Sequence, residues 1–274
     1  MARVTDSTIA PVGILGGSGL YSLLDDPEPV AVSTPFGDPS DPPSRGTFAG
    51  RPVVFLPRHG ADHRLPPHRV NYRANLWALR SLGVRQVVAA SAVGGLRPEL
   101  VAGTVVVPDQ VVDRTWGREH TVYDAEGAVV HVPFADPYCP RGRAVAVRAA
   151  QAGTLPAVDG GTMVVIQGPR FSSRAESRRN AAEGGDVVGM TGMPEAAVAR
   201  ELALCYTSLA LVTDADAGVD VDTSVTHAAV LEAFARNVAA LTGVLHDVVA
   251  HVPADDDCPC RHVLDGLTLP FDLP

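Results

Sequence analysis

Apolar residues fall along this chain mostly in short unbroken runs: Val12-Gly-Ile-Leu, Val53-Val-Phe-Leu, Val87-Val-Ala-Ala, Thr104-Val-Val-Val, Met163-Val-Val-Ile, and Tyr206 through Thr213. Continuous β-branched runs of this length, bounded by turn residues, predict strands buried on both faces. Between them, Ala-rich stretches at about 69–82, 141–151, 173–183, 194–203 and 226–249 carry helical spacing. Strands interleaved with helices predict an α/β domain over residues 1–253, with no internal repeat and no linker in the middle. Residues 25–50, with six prolines, and 113–140, without clear periodicity, read as loops. Loops of that length inside a compact domain tend to be functional or interfacial. After Pro253 come an acidic triplet, Cys258-Pro-Cys260 and a Pro-rich end, which predict an irregular tail over 254–274.

Composition narrows the chemistry. The 274 residues include no lysine, so all 22 basic residues are arginine. That excludes lysine Schiff-base chemistry and a P-loop ending in Lys-Ser/Thr, and any bound phosphate must be held by Arg, His, hydroxyls or backbone N–H. The net charge of −9 and the lack of a basic run argue against nucleic acid or an anionic membrane as partner. No apolar run reaches the roughly 18 residues of a membrane helix, and the N-terminus has no leader pattern, which points to a cytoplasmic protein. Four cysteines are too few for a disulfide framework in a chain of this size, and Cys139 and Cys205 read as core residues.

Five constellations can carry chemistry. Gly13-Ile-Leu-Gly16-Gly17-Ser18-Gly19 follows the opening strand. Its backbone N–H groups and the Ser18 hydroxyl can gather around an anion, though the spacing is not G-x-G-x-x-G and equally suits a tight turn. Arg58-His59-Gly60 ends the second apolar run, where open α/β sheets place ligands; Arg offers a planar fork for phosphate and His a proton. His59, His63 and His68 with Asp62 are a weaker metal reading, because Pro66 and Pro67 break the helix that would align them. Asp214 and Asp216 end the last run; two carboxylates there can chelate a metal, cap a helix, or bind an amino-bearing heterocycle and pass it a proton. Cys258-Pro-Cys260 with His262 offers at most three zinc ligands with no identified fourth, and reads as a feature that stabilises the tail.

Taken in order, these pieces and several others resemble the trimeric nucleoside phosphorylase family that contains 5′-methylthioadenosine phosphorylase and the 6-oxopurine nucleoside phosphorylases. The matching segments are Gly16–Leu20, Thr34–Gly37, Arg58–Gly60, Val70–Asn75, Ser91–Gly94, Gly168–Glu176 and Gly189–Glu195, and the likeness runs from about Val12 to Val252. The resemblance implies a single-domain mixed β-sheet flanked by helices. It also implies phosphorolysis, in which inorganic phosphate is a co-substrate and no metal or organic cofactor is used. Ser18, Arg58, His59, Ser91, the Ala92 backbone and Thr191 would then hold phosphate, and Met190 would lie under the ribose. Phe171, Ser172, Asp214 and Asp216 would meet the base. His131 looks like the residue that reaches into the neighbouring subunit's site, so a homotrimer is implied.

The base can be argued from hydrogen-bonding sense. A 6-amino purine presents donors, which suits carboxylates, whereas a 6-oxo purine presents an acceptor and a ring N–H. Asp214 stands where the 6-oxopurine enzymes carry Asn, and Ser172 where many carry Glu; both favour adenine. Gly192-Met193 and the His63–His68 segment look more like bacterial enzymes acting on 6-oxopurines or 5′-methylthioinosine, and are read as marks of lineage. Around Val230, His227 can hydrogen-bond a 5′-hydroxyl, which keeps adenosine beside methylthioadenosine as substrate. The rival from another class is a nucleotide- or metal-binding regulatory protein, resting on the glycine loop and the cysteine cluster.

Overall fold

The computed structural model describes residues 9–17, 19–20, 23–127, 129–217, 226–254 and 257–274, with the side chains of His227 and Ala229 excepted. Four of the six apolar runs become the centre of one mixed sheet. In it β1 (Val12–Gly16) lies between β4 (Arg51–Pro57) and β5 (Gln86–Gly95), parallel to both. β11 (Cys205–Ala215) runs parallel to β5 along its whole length. These strands bury both faces, and alternate residues serve different helices. Val87 and Ala89 pack with Leu76 and Leu79 of α1 (Tyr72–Ser81) and Ala196 and Val198 of α4 (Gly192–Glu201). Val88 and Ala90 pack with α2 (Pro140–Ala152) and α5 (His227–His251) on the other side. With apolar neighbours on both faces there is no polar side to alternate with, which is why the strands read as unbroken runs.

The remaining strands extend the sheet on both sides, the apolar runs at 104–107 and 163–166 among them. On one side β2 (Asp25–Pro29) and β3 (Ser44–Phe48) pair antiparallel outward from β4. They correct the expectation of a loop over 25–50: β2 is wholly exposed and rich in Asp, Glu and Pro, so it carries no burial pattern to read. On the other side come β10 (Val187–Gly189), β9 (Thr162–Ile166) and β7 (Gln110–Arg114), and β6 (Val105–Val107) and β8 (Ala157–Asp159) follow from β11. α3 (Arg174–Ala182) begins with a Ser173–Glu176 capping box. The tail after 253 has only one short 3-10 turn, Pro259–Arg261, among its described residues. Its end folds back, with Phe271 edge-on to Trp77 of α1 and stacked on Tyr123.

Two irregularities create the site. β5 pairs with β1 only as far as Ala89, and on the same side meets the antiparallel β10 only at Gly94 and Gly95. Between these pairings Ala90–Val93 have strand β11 on one side and no strand on the other, a fork of the kind that opens a crevice at strand ends. In β11, a bulge inserts Thr213 between Val212, opposite Val93, and Asp214, opposite Gly94. A bulge turns the following side chains. Here those residues include Asp214 and Asp216.

Candidate active site

A cavity of about 420 Å³ opens at the fork, within the size range of small-molecule sites. Its floor is Ala90–Gly94 of β5. Around this floor the fold gathers Arg58, His59, Ser91, Ala92, Thr191, Met190, Phe171, Ser172, Asp214, Asp216 and Val230, all of which the sequence reading nominated. His131 does not line it; it sits exposed on the loop between β7 and α2. Ser18 and the side chain of His227 lie outside the described residues.

At the Ala90 end, Arg58 is 2% exposed and its fork is already engaged. Nε and Nη2 donate to Glu195 at 2.7 and 2.9 Å, and Nη1 donates to the Ala90 carbonyl at 3.0 Å. Glu195, itself 1% exposed, also accepts from the Tyr206 hydroxyl at 2.7 Å. Burial works against the guanidinium charge, but the Glu195 carboxylate more than offsets it and the group stays protonated. The Arg58 fork thus clasps Glu195 at the edge of the cavity, which leaves little of its donor capacity for a ligand. Sequence reasoning missed Glu195 as a functional partner because 137 positions separate it from Arg58.

His59 is brought down to about 4, first by burial and then by the charge of Arg58, so its ring is neutral near pH 7. Its Nδ1 lies 2.8 Å from the Leu65 carbonyl, which can only accept, so Nδ1 carries the proton and Nε2 is an acceptor. Thr191 makes no capping hydrogen bond through its hydroxyl, and the chain leaves helical geometry at Met193 two residues on, so the hydroxyl is available to an anion.

At the Gly94 end the two carboxylates crowd the backbone. A Cβ built on Gly94 would lie 3.3 Å from both Asp214 Oδ2 and Asp216 Cβ, so a side chain there would displace them. Burial pushes the Asp214 carboxyl above the usual carboxylate range, against a 2.7 Å hydrogen bond from Thr213 Oγ1 and with the Asp216 charge adding to the rise. Asp216 Oδ2 and Ser172 Oγ are buried with no protein partner. Buried polar atoms rarely stay unpaired, so two among the cavity's lining residues mark where a ligand supplies the missing groups. A third wall, from the start of α5, is apolar: Val230, Leu231 and Phe234. The sequence reading had only Val230 here.

Arg118, also missed, is 8% exposed and braces the region from behind. It donates to the carbonyls of Met190 at 2.9 Å, Met193 at 2.6 Å and Gln167 at 2.7 Å, fixing the ends of β9 and β10 against α4. The His59, His63, His68 and Asp62 metal reading is not borne out among the described residues, where the only group at metal-ligand spacing is formed by Cys139, Cys205, Cys258 and Cys260. Cys139 and Cys205 are in the core as expected, but they converge there with the tail cysteines. His262 instead faces Asp265.

A family model described as the phosphorylase superfamily matches residues 11–250. The chain belongs to that superfamily. A purine nucleoside phosphorylase of Streptomyces coelicolor is 58% identical to this phosphorylase, over 97% of this chain and 98% of its own length. An S-methyl-5′-thioadenosine phosphorylase of Mycolicibacterium smegmatis is 51% identical over 96% and 99%. Among solved structures, methylthioadenosine phosphorylase from Schistosoma mansoni in complex with adenine superposes with a TM-score of 0.83 at 40% identity, covering 90% of this chain and 93% of that one. The nucleoside phosphorylase fold expected from the sequence is the fold observed.

Proposed function

We propose that this phosphorylase cleaves 5′-methylthioadenosine with inorganic phosphate, giving adenine and 5-methylthioribose 1-phosphate. The observation that carries the reading is the orphaned Asp216 Oδ2 beside Asp214 at one end of a cavity whose other end holds anion donors. Carboxylates accept from the exocyclic amine of adenine, whereas they would face the O6 lone pairs of a 6-oxopurine. The apolar wall of Val230, Leu231 and Phe234 suits a methylthio group better than a hydroxyl.

In the reaction a phosphate oxygen bonds to C1′ as the C1′–N9 bond breaks, and the purine leaves with the bonding electrons. Thr191, Ser91, the Ala92 backbone and Ser18 hold the anion, with Arg58 contributing field more than contact. His59 Nε2 accepts from the hydroxyl of hydrogen phosphate and orients the attacking face. Positive charge grows on the ribose above Met190, and the adjacent phosphate dianion stabilises it, so catalysis is positional and electrostatic. Asp214, whose burial raises its proton affinity, donates at N7. The proton balance closes because hydrogen phosphate carries one proton that the sugar phosphate lacks and the free base gains. No metal or organic cofactor enters this scheme.

The assembly belongs to the same proposal: a cytoplasmic homotrimer acting in purine salvage, in which exposed His131 enters the neighbouring site. No helix among the described residues is long and apolar enough to cross a membrane. A second reading, purine nucleoside phosphorylase activity on adenosine or 6-oxopurine nucleosides, is favoured by the name of the Streptomyces relative. The deciding experiment is a substrate panel in phosphate buffer that varies base and 5′ group together. Phosphate-dependent adenine release with methylthioadenosine preferred is expected; preference for inosine would move the assignment to the second reading, and no base release at all would refute both.

A further inference from the structure

Far from each other in sequence, Cys139, Cys205, Cys258 and Cys260 bring their sulfurs together, all four atoms lying within 4.8 Å of one another. Cys139 and Cys258 are 3.5 Å apart, Sγ to Sγ. None of the four is in a disulfide, and none is more than 2% exposed. Packing alone does not require this convergence, since a buried cysteine behaves as a small apolar residue that any neighbour can cover. Tetrahedral coordination by four sulfurs at about 2.3 Å from the metal puts the sulfurs about 3.8 Å apart, and the cluster has that scale.

Donors outside the cluster point at two of its sulfurs. Cys139 caps α2, and its Sγ accepts from the Gly142 N–H at 3.3 Å. The guanidinium of Arg200 donates to Cys260 Sγ at 3.7 Å. N–H groups and a cation directed at the sulfurs are the outer contacts that hold thiolate ligands in place. Cys258 and Cys260 flank Pro259 in the 3-10 turn, so they approach as a short chelating pair, while Cys205 starts β11 and Cys139 starts α2. The C-x-C fragment thus finds its remaining ligands on two distant elements.

We propose that these four cysteines form a structural zinc site that staples the chain after α5 to the starts of β11 and α2. A tetrahedral all-sulfur donor set selects a borderline-soft ion such as zinc, and with four ligands it is closed to substrate, so the site is separate from the cavity at the fork. Binding replaces four S–H bonds with four Zn–S bonds, releases four protons, and leaves a net charge of −2 that Arg200 and the N–H donors partly offset.

The test uses full-length protein purified under reducing conditions without chelator. Elemental analysis should give one zinc per chain, with four thiols titratable after denaturation and an intact mass showing no lost hydrogens. Cys258→Ser/Cys260→Ser should lower bound zinc at least tenfold. Because that variant can fail to fold, the parent protein is also stripped and refilled with cobalt(II), which should produce thiolate-to-cobalt charge-transfer absorption. Stripping should lower the Tm, and zinc but not magnesium should restore it. Two disulfides without metal, seen as two hydrogens lost per bridge, would overturn the proposal, as would four free thiols without zinc or a cobalt spectrum lacking thiolate bands.

Discussion

Glu195→Gln isolates the most consequential charge near the cavity. The substitution keeps the shape of the side chain and one acceptor for Arg58, but removes the negative charge facing a guanidinium that is 2% exposed. Breaking a buried pair from one side typically costs about 3–5 kcal/mol, because the remaining charge is left uncompensated. The retained amide oxygen places this case at the low end, about 3 kcal/mol. For a domain of this size, at about 2–4 °C per kcal/mol, the Tm should fall by roughly 6–12 °C in phosphate-free buffer. Phosphate should then stabilise the variant more than the parent, since an Arg58 no longer neutralised by Glu195 attracts the anion more strongly and binding to the folded state raises the Tm by mass action. Differential scanning fluorimetry across a phosphate series reads both effects. A variant with the parent's Tm would refute the buried pair, and an unchanged Tm with a tenfold higher phosphate KM would mean that Glu195 serves the ligand directly.

Asp214→Asn should shift the ratio of kcat/KM for methylthioadenosine over methylthioinosine toward the 6-oxo substrate by at least tenfold, about the worth of one buried hydrogen bond exchanged in sense; an unchanged ratio would remove Asp214 from base recognition. Thr191→Val should raise the phosphate KM about 5- to 10-fold, equivalent to about 1–1.4 kcal/mol, with little change in the nucleoside KM; equal changes in both would argue against a phosphate role. His59 titrates near 4 when folded and about 6.5 when unfolded. The unfolded chain therefore binds more protons between these values, so the contribution of His59 is complete above pH 6.5 and is lost as pH falls toward 4. The loss amounts to about 3 kcal/mol. His59→Asn should flatten this part of the stability profile in urea unfolding, and a profile parallel to the parent's would contradict the buried neutral ring.

How much was legible in the sequence depended on whether the information was local. β1, β4, β5 and β11 were readable because burial on both faces writes itself as consecutive apolar residues. β2 could not be read that way, since Asp25-Asp-Pro-Glu-Pro29 is exposed throughout and is held as a strand by its pairing with β3. Arg58, His59 and Asp214 were findable because polar residues directly after an apolar run fall at strand ends. Glu195 and Arg118 were not, because each acts through partners far along the chain. The cysteines show the same limit: Cys258-Pro-Cys260 stood out, but only folding brings Cys139 and Cys205 beside it.

The fork in β5 also sets a distance. Arg58 is tied to the Ala90 carbonyl and the carboxylates crowd Gly94, so the two ends of the reaction are spaced by four residues of one strand, about 13 Å at the usual rise. That span is held by the backbone ladder to β11, not by the side chains that choose the ligand. The strand thus works as a ruler. Under the proposed reaction, substitutions at 172, 216 or 230 would trade one nucleobase or 5′ group for another while the line of attack stays as it was, which would make substrate choice in this scaffold separable from the chemistry it performs.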